Sequence, residues 1–235
     1  MSQTLFLLLK QYKYLGKILQ SAGFKLFNSA ESIEICDDKI TTYIALSNSG
    51  LPLIDTIPAP LCYTPNVKAN ERFLDELEQK LGFPMVVKKS YGSFGEGVKL
   101  VHGRVELEQT AQELLRVPHC YQRYISESSG KDIRIVVIGG KAIAWMRRVA
   151  QQGEFRSNVE LGGRGEKTEI SKEYIEVAEK TAKLLGLEYC GVDLLETEKG
   201  PLLCEVNSNA FFEGLESTTG VNVAEAYAAH ILSKI

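Results

Sequence analysis

The chain has 235 residues, of which 44% are apolar and 24% are charged, and its formal net charge is −3. This balance is typical of a soluble globular protein, and the length allows one large domain or two small ones that share an interface. Lys and Arg are spread along the chain rather than clustered, which argues against a nucleic-acid-binding domain. We therefore expect no nucleic-acid partner.

A short apolar run near the start, residues 5–9, resembles the core of a signal peptide. Lys10 and Lys13 follow it, no small-residue cleavage site is visible, and no stretch approaches the ~20 apolar residues of a membrane span. The five cysteines lack C-x-x-C spacing, so neither a disulfide framework nor a zinc site is expected. The sequence therefore predicts a cytoplasmic protein without membrane contact.

Apolar spacing and glycine or proline breakers divide the first half of the chain into elements. Helices are predicted at residues 12–22, 37–48, 71–81 and 106–115. Strands are predicted at residues 24–27, 84–88, 98–101 and 120–125, with an extended connection at 57–66. A glycine-rich loop, residues 90–97, follows the strand that ends at Lys88.

The second half alternates more strongly between strands and helices. Strands are predicted at residues 133–138, 142–148, 189–195 and 202–206, and helices at 171–185 and 222–232. Antiparallel hairpins mixed with helices predict an α+β fold with two lobes rather than a doubly wound parallel sheet.

The hairpin formed by the last two strands carries two acidic residues. Side chains alternate faces along a strand, so Glu205 and Asn207 share one face. The apolar residues of the same strand are assigned to the other face: Leu202, Cys204 and Val206. If the hairpin is centred on Lys199, Asp193 lies directly opposite Glu205.

This pairing would place two carboxylates roughly 5 Å apart between their Cβ atoms, which is unfavourable unless something neutralises them. Magnesium does so, because it prefers oxygen ligands and accepts phosphate oxygens in its shell. The alternative is that both acids are exposed polar residues on the wet face of the hairpin. Asn207 adds a third oxygen ligand, so we predict a magnesium site at Asp193, Glu205 and Asn207.

The glycine-rich loop is a candidate phosphate site. Its glycines permit close backbone approach, so that N–H groups can surround phosphate oxygens next to Lys88. A flexible hairpin turn explains the glycines equally well, and neither a Walker G-K-[ST] sequence nor the kinase motifs are present. Together with the acidic hairpin, the loop favours a nucleotide held by protein donors on one side and by metal on the other.

Six segments in a fixed order carry a family resemblance. They are FPMVVK (83–88), QRYI (122–125), GKDIR (130–134), GEFRSN (153–158), GVD (191–193) and EVNS (205–208). From about residue 23 to the C-terminus, the chain resembles the ATP-grasp ligases of the RimK type. The resemblance implies an ATP-grasp fold, in which two α+β lobes with antiparallel sheets enclose an ATP cleft.

The resemblance also implies a role for each matching residue. Contacts to the phosphates of ATP are assigned to Lys39, Lys88, Gly92, Ser93, Phe94 and Gly95. Contacts to adenine are assigned to the backbone of the hinge residues Arg123 and Tyr124, and contact to ribose to Asp132. Arg134, Arg156 and Asn158 are assigned as catalytic residues at the transferred phosphoryl group, and Arg156, Ser157 and Asn158 also as nucleotide contacts. A surface salt bridge is the alternative for Arg134 and for Arg156, and Arg147 and Arg148 are candidates for substrate contact only.

The implied activity is ATP- and magnesium-dependent carboxylate–amine ligation through an acyl-phosphate, with manganese as an alternative metal. It would add glutamate or a similar amino acid to a peptide, protein or small carboxylate; a catalytically degenerate ATP-binding regulatory domain is the alternative. The expected domains are a remnant of a preceding domain at 1–30, an N-lobe with the glycine-rich loop at 31–125 and a C-lobe with the metal site at 126–235. A homodimer would cover the edge that the short N-terminus leaves exposed.

Overall fold

The computed structural model describes residues 14–93, 95–157 and 162–235. The helices are α1 (residues 14–21), α2 (Ala30–Asp37), α3 (Lys39–Leu46), α4 (Glu71–Leu81), α5 (Arg104–Glu113), α6 (Lys172–Leu184), α7 (Glu213–Thr219) and α8 (Val223–Leu232). The strands are β1 (Thr56–Pro58), β2 (Met85–Lys89), β3 (Val98–Val101), β4 (His119–Arg123), β5 (Lys131–Ile138), β6 (Lys141–Val149), β7 (Arg164–Glu166), β8 (Tyr189–Thr197) and β9 (Gly200–Asn207). None of the helices in these ranges combines the length and apolar character that a bilayer crossing requires.

The N-terminal sheet is antiparallel, in the order β1-β4-β2-β3, and its core lies against α4 and α5. Helix α4 begins at Asn70, whose side chain accepts a hydrogen bond from the Phe73 N–H, and it buries Leu74, Leu77 and Leu81 at helical spacing. The helix predicted at residues 71–81 is confirmed. The glycine-rich loop connects β2 to β3 and thus projects from one end of this sheet.

The C-terminal sheet is also antiparallel, in the order β7-β6-β5-β8-β9. Along β5, Ile133 and Ile135 face α6, whereas Val136 packs on the other face with α7 and α8. Because side chains alternate, Asp132 and Arg134 share the face of Val136 but lie nearer the N-terminal sheet. The sheet therefore directs charged side chains into the space between the two sheets.

Two predicted elements near the N-terminus are wrong. Residues 24–26 form no strand, and Asn28 instead donates from Nδ2 to the carbonyl oxygens of Tyr189 (2.7 Å) and Ser208 (2.9 Å). The bounds predicted for the helix at residues 37–48 are also wrong: α3 runs from Lys39 to Leu46, because Asp38 has extended backbone angles and caps it. Its carboxylate accepts from the N–H groups at the start of that helix.

Helices α2 and α3 do not pack where the predicted lobes suggest. Cys36 and Leu46 belong to the apolar cluster of the C-terminal sheet, and Leu53 forms a parallel bridge with Leu203 of β9. Residues 30–53 therefore pack against the C-terminal sheet before the chain enters β1. Helices α2 and α7 and strand β7 were not predicted; β7 is only three residues long and α7 seven.

Candidate functional site

The β8–β9 hairpin brings its two acidic residues together. Asp193 pairs with Glu205, as predicted. The register, however, contains a bulge: Leu194 pairs with Leu203, so Cys204 is the extra residue on β9. The bulge reverses the faces that follow it, so the assignment of Leu202 and Cys204 to the core is wrong. Leu203 and Val206 are the buried core residues, and Cys204 lines the cleft.

Asp193 lies in a buried ionic cluster. The side chain is 3% exposed. Arg134 donates to both carboxylate oxygens, with Nη2 2.7 Å from Oδ2, and Arg148 Nη2 lies 2.8 Å from the same Oδ2. Burial alone would raise the pKa of Asp193, but the two guanidinium groups outweigh it and hold the pKa below its usual range. Asp193 is therefore a carboxylate, and Arg134 forms a buried ion pair rather than a surface one.

Glu205 and Asn207 lie beside Asp193 on the same strand pair. Glu205 Oε1 is 3.3 Å from Lys39 Nζ, and Asn207 Nδ2 is 3.4 Å from Asp193 Oδ2. The described residues hold no cluster of three His, Cys, Asp or Glu side chains, so the amide oxygen of Asn207 is needed to complete the set. Two carboxylates and one amide are hard oxygen donors, which is the ligand type that magnesium prefers. The residues present therefore fit that metal.

Lys88 points into the cleft from the end of β2. It is 8% exposed, and its Nζ atom is 3.6 Å from Cys204 Sγ. Burial opposes its charge, but the hydrogen bond to Cys204 and the nearby Glu205 carboxylate outweigh burial and raise the pKa of Lys88. The second predicted lysine, Lys39, is the first residue of α3 and donates to the Gly92 carbonyl oxygen at 2.8 Å. Both lysine side chains thus lie between the two sheets.

Arg156 connects the C-terminal half of the site to the glycine-rich loop. Its Nη1 donates to the Gly95 carbonyl oxygen at 2.9 Å. The Glu154 carboxylate holds the same guanidinium through Nε (2.9 Å) and Nη2 (2.7 Å). This paired contact raises the pKa of Arg156 and lowers the pKa of Glu154 to about 2. Arg156 is therefore an oriented cation at the mouth of the cleft.

These residues border one cleft between the sheets, which encloses about 810 Å³ including the part open to solvent. The predicted site residues along its walls are Lys39, Lys88, Gly92, Gly95, Arg123, Tyr124, Asp132, Arg156, Ser157, Asp193 and Glu205. Val86, Leu195 and Phe155 add apolar surface. Arg134 and Asn207 contact Asp193, which lines the cleft. Ser93 is exposed to solvent. The predicted residues Phe94 and Asn158 lie outside the described residues. Cations, an acidic hairpin and an apolar wall suit a nucleoside triphosphate with a divalent metal.

The family model of the RimK-like ATP-grasp domain matches residues 36–231. The chain belongs to the RimK-like ATP-grasp family. Its α+β fold is the ATP-grasp fold, as the sequence predicted. Two solved structures have this fold: the RimK domain ATP-grasp protein from Sphaerobacter thermophilus (TM-score 0.72, 20% identity, 94% of this chain and 76% of that one), and the D-alanine–D-alanine ligase from Bacillus anthracis complexed with ATP (TM-score 0.71, 22% identity, 93% and 72%).

Curated relatives are similar over most of this chain. Beta-citrylglutamate synthase B from Danio rerio is 33% identical, over 92% of this chain and 52% of the relative. N-acetylaspartylglutamate synthase A from Homo sapiens is 34% identical, over 92% and 54%. A probable alpha-L-glutamate ligase from Marinomonas sp. is 37% identical, over 89% and 67%. The chain spans about half the length of the two synthases.

Contacts within the protein occupy the side chains of two residues that were assigned to the nucleotide in this ATP-grasp cleft. Asp132 is 4% exposed. Its carboxylate accepts hydrogen bonds from Arg148 Nε (2.7 Å), Arg148 Nη2 (2.5 Å) and Ser157 Oγ (2.6 Å). In this structure the carboxylate is therefore bound within the protein rather than presented to a ribose. Arg123 directs its guanidinium away from the cleft, to Asp55 and to the carbonyl oxygens at the end of α4. Only the backbone of Arg123 is then available to adenine.

The sequence did not reveal the partners that hold the ATP-grasp site residues in place. Glu154 is separated from Arg156 by one residue, a spacing that could have indicated the contact. Gly191 is less visible: a Cβ atom there would lie 2.5 Å from Ala210 Cβ and 3.1 Å from Arg134 Cδ, so glycine leaves the room that Arg134 occupies. Arg147, a predicted substrate contact, lies on the opposite face and pairs with Glu196 through two 2.8 Å bonds.

Proposed function

We propose that this domain uses ATP and magnesium to join an amino acid to a carboxylate, with release of ADP and phosphate. The observation that carries the proposal is Lys88, a buried ammonium whose hydrogen-bond partner in the described structure is a thiol. A thiol is a weak acceptor, so the ammonium keeps N–H donors for acceptors that a ligand would supply. A nucleotide phosphate would supply them, with Lys39 and Arg156 bordering the same cleft.

The names of the relatives support glutamate as the amino acid. All three, a citrylglutamate synthase, an acetylaspartylglutamate synthase and a glutamate ligase, are named for products or reactions that contain glutamate. We therefore propose that the amine substrate is glutamate or a similar amino acid. The acceptor would be the carboxyl group of a peptide, a protein or a small molecule.

In the first step, a carboxylate oxygen of the acceptor attacks the γ-phosphorus of ATP. The bond from that phosphorus to the oxygen of the leaving ADP breaks, and an acyl-phosphate forms. Arg134 and Arg156 would donate to the transferred phosphoryl oxygens through the guanidinium N–H groups that Asp193 and Glu154 leave free, while Lys39 and Lys88 would hold the phosphates. Asn158, assigned to the same step, remains part of the proposal.

In the second step, the amine nitrogen attacks the acyl carbon and loses a proton, and the bond from that carbon to the phosphate oxygen breaks. Phosphate leaves and an amide remains. The protein contributes orientation and charge stabilisation, so the reaction requires no nucleophilic side chain. This agrees with a cleft lined by cations and backbone groups.

Magnesium would be held by Asp193, Glu205 and Asn207, and it would neutralise charge on the phosphate oxygens. The buried partners of Asp193 prepare the site, because Arg134 and Arg148 keep its carboxylate ionised and fixed in orientation. Lys39 lies between Glu205 and the Gly92 carbonyl oxygen, where it can shift to a phosphate without leaving the cleft.

The test is turnover by the purified protein with ATP, magnesium, glutamate and a panel of carboxylate acceptors. We expect ADP and phosphate in equal amounts and an acceptor whose mass rises by one glutamyl residue, with neither product from Asp193→Asn. ATP binding without phosphate release, unchanged by Asp193→Asn, would instead establish the regulatory alternative. Absence of magnesium-dependent ATP binding would overturn both.

A further inference from the structure

A row of alternating charges crosses three neighbouring strands of the C-terminal sheet. Arg134 of β5 is paired in register with Asp193 of β8, and Asp132 of β5 with Arg148 of β6. Asp132 and Arg148 are each 4% exposed, and Asp193 is 3% exposed. Two carboxylates and two guanidinium groups balance, so the row is a neutral cluster within the protein.

The guanidinium of Arg148 contacts both carboxylates of this row. Arg148 Nη2 lies 2.5 Å from Asp132 Oδ2 and 2.8 Å from Asp193 Oδ2, so one nitrogen holds carboxylates from two strands. The same Asp132 oxygen accepts from Ser157 Oγ at 2.6 Å, and Ser157 directly follows Arg156. A continuous chain of contacts therefore leads from the predicted metal ligand Asp193 to the segment that presents Arg156 to the cleft.

Changes at one end of such a chain should reach the other. A cation bound at Asp193 competes with Arg148 for the Oδ2 oxygen, and Arg148 then interacts more strongly with Asp132. Asp132 accepts a hydrogen bond from the Ser157 hydroxyl. The position of residues 156–157 therefore depends on whether Arg148 donates mainly to Asp132 or to Asp193. Buried polar networks of this kind respond as a unit, because each member lacks water as an alternative partner.

We infer that Arg148 is a positioning residue that couples occupancy of the metal site at Asp193 to the placement of Arg156 and Ser157 at the nucleotide. This inference rests on the proposed function. If Arg148 had only a structural role, it would balance the charge of two aspartates, and its replacement would change only the free energy of unfolding. A coupling Arg148 also determines how much magnesium strengthens ATP binding, which is a separate measurement.

The experiment is calorimetric titration of ATP with and without magnesium, in wild type, Arg148→Gln and Ser157→Ala, with the unfolding free energy measured in parallel. We expect magnesium to strengthen ATP binding at least ~10-fold in wild type and less than ~3-fold in both variants. Arg148→Lys keeps the charge but lacks the fork that reaches two carboxylates, so it should recover stability more than coupling.

Arg147→Gln is the matched control. It removes a guanidinium from the adjacent position of β6, with an equally paired carboxylate contact on the opposite face, and should keep the wild-type magnesium ratio. Ser157→Ala removes one hydroxyl and no charge, so it decides the question if Arg148→Gln does not fold. A wild-type ratio in Ser157→Ala would overturn the inference while the proposed function stands. Wild-type protein without magnesium-dependent ATP binding would overturn the proposed function, and the inference with it.

Discussion

The ammonium nitrogen of Lys88 lies 3.6 Å from the sulfur of Cys204, on opposite walls of the cleft between the two sheets. The pKa of the Cys204 thiol is raised, chiefly by burial, although Lys88 opposes the rise. The lysine therefore faces a neutral sulfur, which is a weak acceptor. Glu205 offsets the cost of burying this charge, but the weak contact with sulfur leaves N–H donors of Lys88 for a ligand.

Lys88→Met should affect ATP binding and the free energy of unfolding differently. Removing the charge and keeping the side-chain length should change the free energy of unfolding by less than about 1 kcal/mol, because the lost attraction to Glu205 offsets the relief of burial. ATP affinity should fall about 10- to 100-fold, because a charge-assisted contact contributes roughly 1.5–3 kcal/mol. Urea denaturation and calorimetry measure the two effects. Lys99→Met, on the exposed side of β3, should change neither; a less stable Lys88→Met with normal ATP affinity would contradict the argument.

The two acidic residues of the hairpin should respond differently to neutralisation. Asp193→Asn leaves Arg134 and Arg148 buried without their partner and should cost about 3 kcal/mol of stability. Glu205 is about one-third exposed and faces Lys39 at 3.3 Å, so Glu205→Gln should change stability by less than about 0.5 kcal/mol. Both variants should lose the rise in melting temperature that ATP with magnesium gives the wild type. Equal stability losses in the two variants would show that the deeper burial of Asp193 does not make its carboxylate more important for stability than that of Glu205.

The Glu154–Arg156 contact predicts a pH dependence of stability. The folded pKa of Glu154 is about 2, below its unfolded value, so the contact stabilises the protein above about pH 4.3 and the benefit is lost as the pH falls toward 2. Since the pair is about one-quarter exposed, we expect about 1 kcal/mol. The stability difference between wild type and Glu154→Gln in urea should therefore be present at pH 6 and smaller at pH 3. A constant difference across this range would refute the assignment.

The sequence was sufficient for elements whose signal is local. The spacing of Leu74, Leu77 and Leu81 predicts α4, and strand alternation predicts that Asp193 faces Glu205. The bulge at Cys204 could not be predicted, because Leu202 and Leu203 suit the core face equally well in composition. The start of α3 after Asp38 was missed for a related reason: an aspartate within a helical pattern is compatible with both a helix interior and an N-cap.

The sequence predicted the residues that would contact the ligand better than it predicted the residues that hold them in place. Asp132 and Arg148 are 16 positions apart in sequence, and their contact follows from the register of β5 with β6. Neither spacing nor composition specifies that register. The buried position of Asp132, which a family resemblance assigns to ribose, thus became visible only once the strands were paired.

Gly191 provides a direct test of how the site accommodates Arg134. A methyl group at this position would lie 2.5 Å from Ala210 Cβ and 3.1 Å from Arg134 Cδ, so Gly191→Ala must displace Arg134 from Asp193 or shift the segment of Ala210. We expect a loss of about 1–3 kcal/mol in stability and a fall in ligation rate that exceeds the fall in ATP affinity, because in the proposed mechanism Arg134 acts on the transferred phosphoryl group. Gly214→Ala is the control, since a Cβ atom there meets nothing within 4 Å and alanine favours helix α7 by roughly 0.5–1 kcal/mol. Urea denaturation, calorimetry and phosphate release measured on both variants check the prediction, and a Gly191→Ala protein with wild-type stability and turnover would show that Arg134 does not need the space that glycine leaves.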